Sequence, residues 1–281
     1  MTIHVVRGGE SVPDIAAFYG VDPVRLASDN AVPADGDLAV GQTLVVRFPR
    51  QVHAVQEGET LTSIAAQYGT SLRQLWRNNW ALGGGETLVP GQTLVISYFD
   101  EKLGEAVVNG YAYPSIEPAL LARQLPYLTC LAPFTYGINA AGGLLPLADD
   151  ALLASARQRG TAPVLHLSTL TENGQFDTQR AELVLTDEAA QSQLIGQVLR
   201  QVLQRGYAGV DVDFEYLPGQ LAEAYTAFLA RLRRLLRPQG RFLWAALAPK
   251  TSALQRGLLY EGHDYAGVSA AADAVLLMTY G

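Results

Sequence analysis

The 281-residue sequence holds a single cysteine, Cys130, so no intramolecular disulfide framework can staple it. That thiol sits in the apolar run LTCLAPF, which places it in the core and not at a reactive surface. Histidine is nearly as scarce. The four, His4, His53, His166 and His263, do not cluster along the chain, and neither HExxH nor CxxC spacing occurs. No metal site is expected, and no cofactor. Basic residues are outnumbered, 20 Lys and Arg against 27 Asp and Glu, which leaves a net charge of −7 and no basic stripe to neutralise phosphates. Nucleic acid is therefore excluded as a partner. No segment approaches ~18 uninterrupted apolar residues, so no membrane span or membrane partner is expected. The opening MTIHVVRGGE lacks a basic start followed by a long apolar run, and no secretory signal is read there.

What the chain has is apolar material, 49% of its residues, enough for a sizeable core. It also has a repeat. HVVRGGESVPDIAAFYGVDPVRLASDN from His4 lies over HAVQEGETLTSIAAQYGTSLRQLWRNN from His53, and the tails LAVGQTLVV and LVPGQTLVI match after a one-residue insertion in the second copy. Each copy reads as strand, turn, helix, short helix, loop, strand. Ser11 and Thr60 are placed to N-cap the first helix, and Gly20 and Gly69 to stop it. Two copies are too few for a solenoid, which needs ~3 repeats or more, so they are expected to be small independent modules.

Both copies resemble the LysM module, over residues 1–49 and 50–99, on the strength of RGGESVPDIAAFYG, QEGETLTSIAAQYG, the central Asn and the closing GQTLVV or GQTLVI. The resemblance implies a β-α-α-β fold that binds glycans containing N-acetylglucosamine, such as peptidoglycan or chitin. It also implies a groove in which Gly9, Glu10 and Ser11 face Val40 and Gly41. In the second copy Gly58, Glu59 and Thr60 face Pro90 and Gly91. The same residues equally suit turn and capping duties.

From about residue 104 the periodicity changes. VVNGYAY, LTCLAPF, APVLHLS, GVDVDFEY, RFLWAALAP and AVLLMTY are short, mostly apolar strand candidates. Between them run helical stretches, one with Leu194, Val198 and Val202 on a face, another with Leu221, Tyr225, Phe228, Leu232 and Leu235. Strands alternating with helices predict an α/β fold with a parallel sheet buried on both sides, and a (β/α)8-type barrel leads, its site at the C-terminal strand ends.

One strand is anomalous. In GVDVDFEYLPG, Asp211, Asp213 and Glu215 alternate with Val210, Val212, Phe214 and Tyr216. Successive acids on one face of a strand stand roughly 6.6 Å apart. The apolar set is expected to pack outward against helices while the acids point inward, with Glu215 nearest the mouth. Carboxyls so buried cannot all ionise freely, so one or more should keep a proton near neutral pH, as a general acid requires. A solvated edge strand and a hard-cation site are the alternatives from the pattern alone.

GVDVDFEY resembles the DxxDxDxE signature of glycoside hydrolase family 18, and LLMTYG resembles that family's sixth-strand MTY segment. LAPKTSALQRGLLYEGHDY is similar to a subgroup of spore cortex-lytic N-acetylglucosaminidases that also carry two LysM modules. The resemblance implies retaining, substrate-assisted hydrolysis, with Glu215 as general acid, Asp213 orienting the substrate acetamido group, Asp211 tuning Asp213 and Tyr280 bonding the acetamido oxygen. Met278, Tyr111, Tyr113 and Tyr136 are candidate sugar contacts, Lys250 a rim contact, and His263 and Asp264 structural or rim residues.

Two departures stand out. Ala208 occupies the first Asp position of the signature, where a loss of local turn hydrogen bonding is expected. Residues 104–281 provide about six strands of a barrel that family members close with two more, so a truncated or interrupted barrel with unpaired edges is expected. The expectation is a cortex-directed hydrolase of the spore coat or cortex, made in the mother-cell cytoplasm. Its rivals are a non-catalytic glycan-binding protein with an incomplete barrel and a chitinase.

Overall fold

A computed structural model describes residues 1–99 and 104–279. The chain folds as two units, the first formed by Met1–Val107 with Glu117–Tyr127, the second by Val108–Ile116 with the residues from Leu128 onward.

The first unit holds both repeats. The first runs β1 (Thr2–Val5), α1 (Val12–Tyr19), α2 (Pro23–Asp29) and β2 (Thr43–Val46), with β1 and β2 antiparallel. The second runs β3 (Pro49–Ala54), α3 (Leu61–Gln67), α4 (Leu72–Asn78) and β4 (Thr93–Tyr98), with β3 and β4 antiparallel. The predicted caps form: the Ser11 hydroxyl and Asp14 make a reciprocal capping box, as do Thr60 and Ser63. Gly20 takes the left-handed conformation that ends α1. Each module has its own core, Val12, Ile15, Leu26 and Leu44 in the first and Leu61, Ile64, Leu75 and Leu94 in the second.

The central Asn is a splice between helix and strand. Asn79 Nδ2 donates to the carbonyls of Leu75 (2.8 Å) and Val95 (2.9 Å), and its Oδ1 accepts from the Val95 N–H (2.8 Å). Asn30 repeats the pattern with Leu26 and Val45. The modules are not independent, which corrects the expectation from the repeat. Arg25 of the first donates to the Asn78 carbonyl, to Asn79 Oδ1 (3.2 Å) and to the Tyr98 hydroxyl (2.6 Å) of the second. The Phe99 N–H also donates to the Phe48 carbonyl (3.0 Å). Arg25 corresponds to Gln74 in the other copy, so the cation that joins the modules breaks the repeat. Helix α5 (Pro118–Gln124) completes the unit, and the nearby Pro126 carbonyl accepts from Arg73 and Arg77.

The second unit is a six-stranded parallel sheet in the order β10-β9-β8-β7-β6-β5. Its strands are β5 (Asn109–Ala112), β6 (Cys130–Pro133), β7 (Ala162–Ser168), β8 (Gly209–Asp213), β9 (Phe242–Leu247) and β10 (Ala274–Leu277), matching all six apolar runs. Helices α6 (Asp150–Gln158), α7 (Thr178–Thr186), α8 (Glu188–Gln204), α9 (Ala222–Leu236) and α10 (Tyr265–Ala271) lie between them. The curved sheet is a half-barrel whose strand order follows chain order, as βα repetition requires. Cys130 is buried, and burial pushes its thiol up.

The outward face of β8 packs as expected: Val210, Val212 and Phe214 are fully buried with Leu194, Val198, Phe228 and Leu232 of α8 and α9. One helical position differs. Leu236, not Leu235, closes the apolar stripe of α9, because a 3.6-residue period carries Leu232 to 236 and leaves Leu235 39% exposed. Gly209 is required by packing, since a Cβ there would fall 2.3 Å from the Phe242 ring. Ala208 keeps its backbone bonded despite lacking an acid: its N–H donates to the Pro163 carbonyl (2.8 Å).

Asn79→Ala should leave the Val95 N–H and carbonyl without their side-chain partner and destabilise the second module by ~2 kcal/mol. Hydrogen exchange at the Val95 amide should rise sharply while the amides of β8 keep their protection. Unchanged protection at Val95 would refute the splice.

Candidate active site

The site is built on the inward face of β8. Alternation turns Asp211 and Asp213 away from the helices and into the sheet's concave side, where they are 0% and 5% exposed. The strand ends at Asp213, and Glu215 follows it, half-buried. Beyond it Tyr216 leaves the outward set. It adopts φ +55 and is 40% exposed, so the expectation that it packs against helices is corrected. The chain turns away there, held by Thr178, whose hydroxyl donates to the Tyr216 carbonyl (3.0 Å).

Two other strands of the sheet supply the partners. Tyr111 of β5 donates its hydroxyl to Asp211 Oδ2 at 2.6 Å. His166 of β7 stands in register with Asp211, and its Nε2 lies 3.6 Å from Asp213 Oδ2, an ion-pair separation and too long for a hydrogen bond. Among the described residues, Oδ1 of both aspartates is buried without a hydrogen-bond partner. Burial is the main cause that pushes the Asp211 carboxyl up, with the neighbouring Asp213 charge adding; the His166 charge and the Tyr111 hydrogen bond oppose it. Glu215 is pushed up to about 7, first by burial and then by the Asp213 charge, against the pull of His166.

A cavity of about 210 Å³ opens beside this row, lined by Tyr111, Tyr113, Phe134, His166, Asp213 and Met278 among others. Its aromatic walls suit the apolar faces of a sugar ring. Among the described residues, no group of three or more His, Cys, Asp and Glu is placed to hold a metal ion.

The backing of Glu215 is rigid. His263, 1% exposed, donates from Nε2 to the Phe214 carbonyl (2.9 Å) and accepts at Nδ1 from the Ala248 N–H (3.1 Å). These two bonds assign the neutral tautomer, and burial, with help from Lys250, pushes its proton affinity down. The ring thus ties the chain just before Glu215 to the segment after β9. Lys250 caps the arrangement by donating to the His263 carbonyl, and Asp264 N-caps α10. Both are structural here, as is His263.

Other candidates fall elsewhere. Tyr136 is 1% exposed and outside the cavity: its hydroxyl lies 3.1 Å from that of Tyr207 and accepts from Arg205 (2.6 Å), beside the buried Asp149. It is a core network residue, which corrects its assignment as a sugar contact. Tyr280 lies outside the described residues. In the modules, Glu10 accepts from His4 Nε2 (2.9 Å) and the Arg7 N–H (2.7 Å), and Glu59 from His53 Nε2 (2.7 Å) and the Gln56 N–H (2.7 Å). Those bonds hold both carboxyls below the usual glutamate range. Ser11 and Thr60 are engaged as caps, and Gly9 and Gly58 supply the positive φ of the turns, 82 and 79. All six shape the turn. The turn nevertheless abuts the predicted opposite wall, because the Gly41 N–H donates to the Val6 carbonyl and the Gly91 N–H to that of Val55 (both 2.8 Å).

Sequence reasoning missed His166, Phe134 and Thr135. A signal existed for His166: in APVLHLS it interrupts an apolar strand, as the acids interrupt β8.

Residues 4–47 and 53–97 match the LysM domain, and residues 171–281 match Glycosyl hydrolases family 18. The chain is 34% identical to the cortical fragment-lytic enzyme of Bacillus subtilis (strain 168) over 291 residues, covering 100% of this chain and 65% of that protein. Among solved structures, the Bacillus megaterium QM B1551 spore cortex-lytic enzyme SleL is 27% identical with a TM-score of 0.77, over 99% of this chain and 66% of that one. The Bacillus cereus spore cortex-lytic enzyme SleL is 31% identical with a TM-score of 0.75, over 99% and 65%. The chain thus spans 65% of the length of the first curated relatives it matches. With its acidic β8 row at the C-terminal edge of a parallel half-barrel, and with paired modules before it, the chain carries a glycosyl hydrolases family 18 domain and two LysM domains.

Proposed function

We propose that the chain is a peptidoglycan-directed N-acetylglucosaminidase acting on spore cortex glycan by substrate-assisted, retaining hydrolysis. The observation that supports this best is Glu215: a carboxyl pushed up to about 7, two residues after a buried aspartate that lines a partly aromatic cavity. At neutral pH such a group still holds a proton to give to a glycosidic oxygen.

In this reading Glu215 protonates the leaving oxygen while the substrate's acetamido carbonyl attacks the anomeric carbon. Asp213 accepts from the acetamido N–H and offsets the positive charge that grows on the oxazolinium-like intermediate. Asp211, pushed up by burial and fixed by Tyr111, stands behind Asp213 and tunes it. Glu215, now ionised, takes a proton from the water that opens the intermediate. Tyr280 is assigned the acetamido oxygen, and Met278 and Tyr111 the sugar-facing walls. The LysM turns at Gly9–Ser11 and Gly58–Thr60 hold the glycan. The names of the relatives, cortical fragment-lytic and spore cortex-lytic, favour cortex peptidoglycan over chitin as the substrate, and the spore as the place of action.

Release of reducing ends from purified cortex fragments tests the reading. Glu215→Gln should lower the rate by ~10²-fold or more with glycan binding retained. An undiminished rate in that variant would overturn the assignment. The pH dependence has a defined sign. The acid must be protonated, and its raised value puts loss of the proton near 7, so turnover should be full below that pH and fall about tenfold per unit well above it. A rate that climbs from pH 6 to 8 would contradict Glu215 as the proton donor.

A further inference from the structure

The proposed mechanism leaves one buried titratable group of the cavity wall unused. His166 is 1% exposed, lies on β7 directly opposite Asp211 and presents Nε2 to Asp213 Oδ2 at 3.6 Å. Its other nitrogen, Nδ1, is 2.6 Å from the Thr135 hydroxyl, which also reaches Ser168 Oγ (3.1 Å). The ring is clamped between Phe134, with centroids 4.8 Å apart, and the edge of Tyr111, at 5.2 Å. A clamped imidazole with one nitrogen bonded to a hydroxyl and the other aimed at a carboxylate is oriented for that carboxylate, as a packing residue need not be.

We infer that His166, fixed by Thr135, is a positioning residue for the reaction: it orients Asp213 from the β7 side through Nε2 and Oδ2, and its field sets the charge balance of the row that ends at Glu215. The inference rests on the glycosidase reading for its chemical meaning but not for its electrostatics. The groups that face His166 are Asp211 and Asp213 from β8, with Glu215 beyond them, and Tyr111 from β5; Thr135 is its neutral partner after β6. From the β9 side His263 and Lys250 couple to each other, and His263 couples to Asp213. The His166 charge acts against the rise of both Asp211 and Glu215. Removing the ring therefore strengthens the hold of Glu215 on its proton.

Two readouts test this on the full chain. The Glu215 carboxyl is titrated by carbon-13 NMR, assigned through Glu215→Gln, in the wild type and in His166→Asn and His166→Gln. Kinetics on cortex fragments are followed across pH in the same proteins. The expected result is an upward move of the Glu215 titration by roughly half a unit or more, with the alkaline limb of turnover following it. At the optimum kcat should fall by ~10-fold with KM held within about threefold. Folded variants whose Glu215 titration and alkaline limb stay at the wild-type position would overturn the inference and leave His166 a packing residue. If neither His166 variant folds, Thr135→Val keeps the ring and removes its Nδ1 partner; a smaller shift in Glu215 titration supports the inference, and none overturns it. Absence of reducing-end release by the wild type would sink the glycosidase reading while leaving the carboxyl titration to decide the role of His166.

Discussion

Three carboxyls on alternate residues of one strand and its exit cannot all be charged out of water, and the rest of the second unit is arranged around that constraint. Asp211 is fully buried, Asp213 nearly so, and Glu215 half-buried. Desolvation of each charge is expensive, and an ionised neighbour makes it more so. The row settles by sharing unequal environments. Asp211 receives a phenol hydrogen bond but no solvent, Asp213 lies beside an imidazole, and Glu215 lies at the mouth, where a proton held near neutrality can be given up and recovered. Different roles follow from different surroundings acting on the same functional group.

Such a row needs a stiff frame, and apolar packing provides it. Behind the acids, Phe214 stacks on Tyr225 and Phe228 with centroids 5.7 and 5.5 Å away, in the middle of the main core. Every outward residue of β8 that is locked in this way fixes the inward one beside it, because the pleat leaves no freedom to rotate a single side chain to the other face. Past the strand end, where the pleat no longer acts, His263 takes over with two hydrogen bonds to backbone. The frame hands over from packing to hydrogen bonding at the residue before Glu215, where the backbone turns out of the sheet at Tyr216.

The repeats, the six strands and the acid row were all legible in the sequence because each is written in local periodicity: a period of two for β8, near 3.6 for α8 and α9, and a matching copy for the modules. What escaped was set by three-dimensional neighbours. Tyr136 sits near a strand end in sequence, as Tyr111 does, yet one turns into the Asp149–Tyr207–Arg205 network and the other onto Asp211, partners far along the chain that local pattern does not reveal. His166 was readable from its alternation in β7, but its importance depends on register with β8, which no single strand encodes. Glu10 and Glu59 were legible as turn residues and as ligand candidates alike, and their contacts to His4 and His53, six residues away, give them a structural duty. Arg25 was hidden by the repeat itself, since alignment of the copies draws attention to what they share.

The acid row also links stability to pH in a direction opposite to that of ordinary carboxylates. An aspartate held by an ion pair is lowered in the folded state and stabilises the fold above its unfolded value. Asp211 and Glu215 are raised, so over the interval between their unfolded and folded values the folded state binds more protons than the unfolded one. Their contribution is fully present below the unfolded carboxyl values, near 4, and is lost as pH rises, through about 7 in the case of Glu215. Glu10 and Glu59 in the modules are lowered by their turn hydrogen bonds and carry the opposite sign, stabilising above the ordinary glutamate range and weakening in acid. Acid therefore works against the module turns and alkali against the row on β8. The conditions that keep both intact lie between, where Glu215 is poised to exchange its proton.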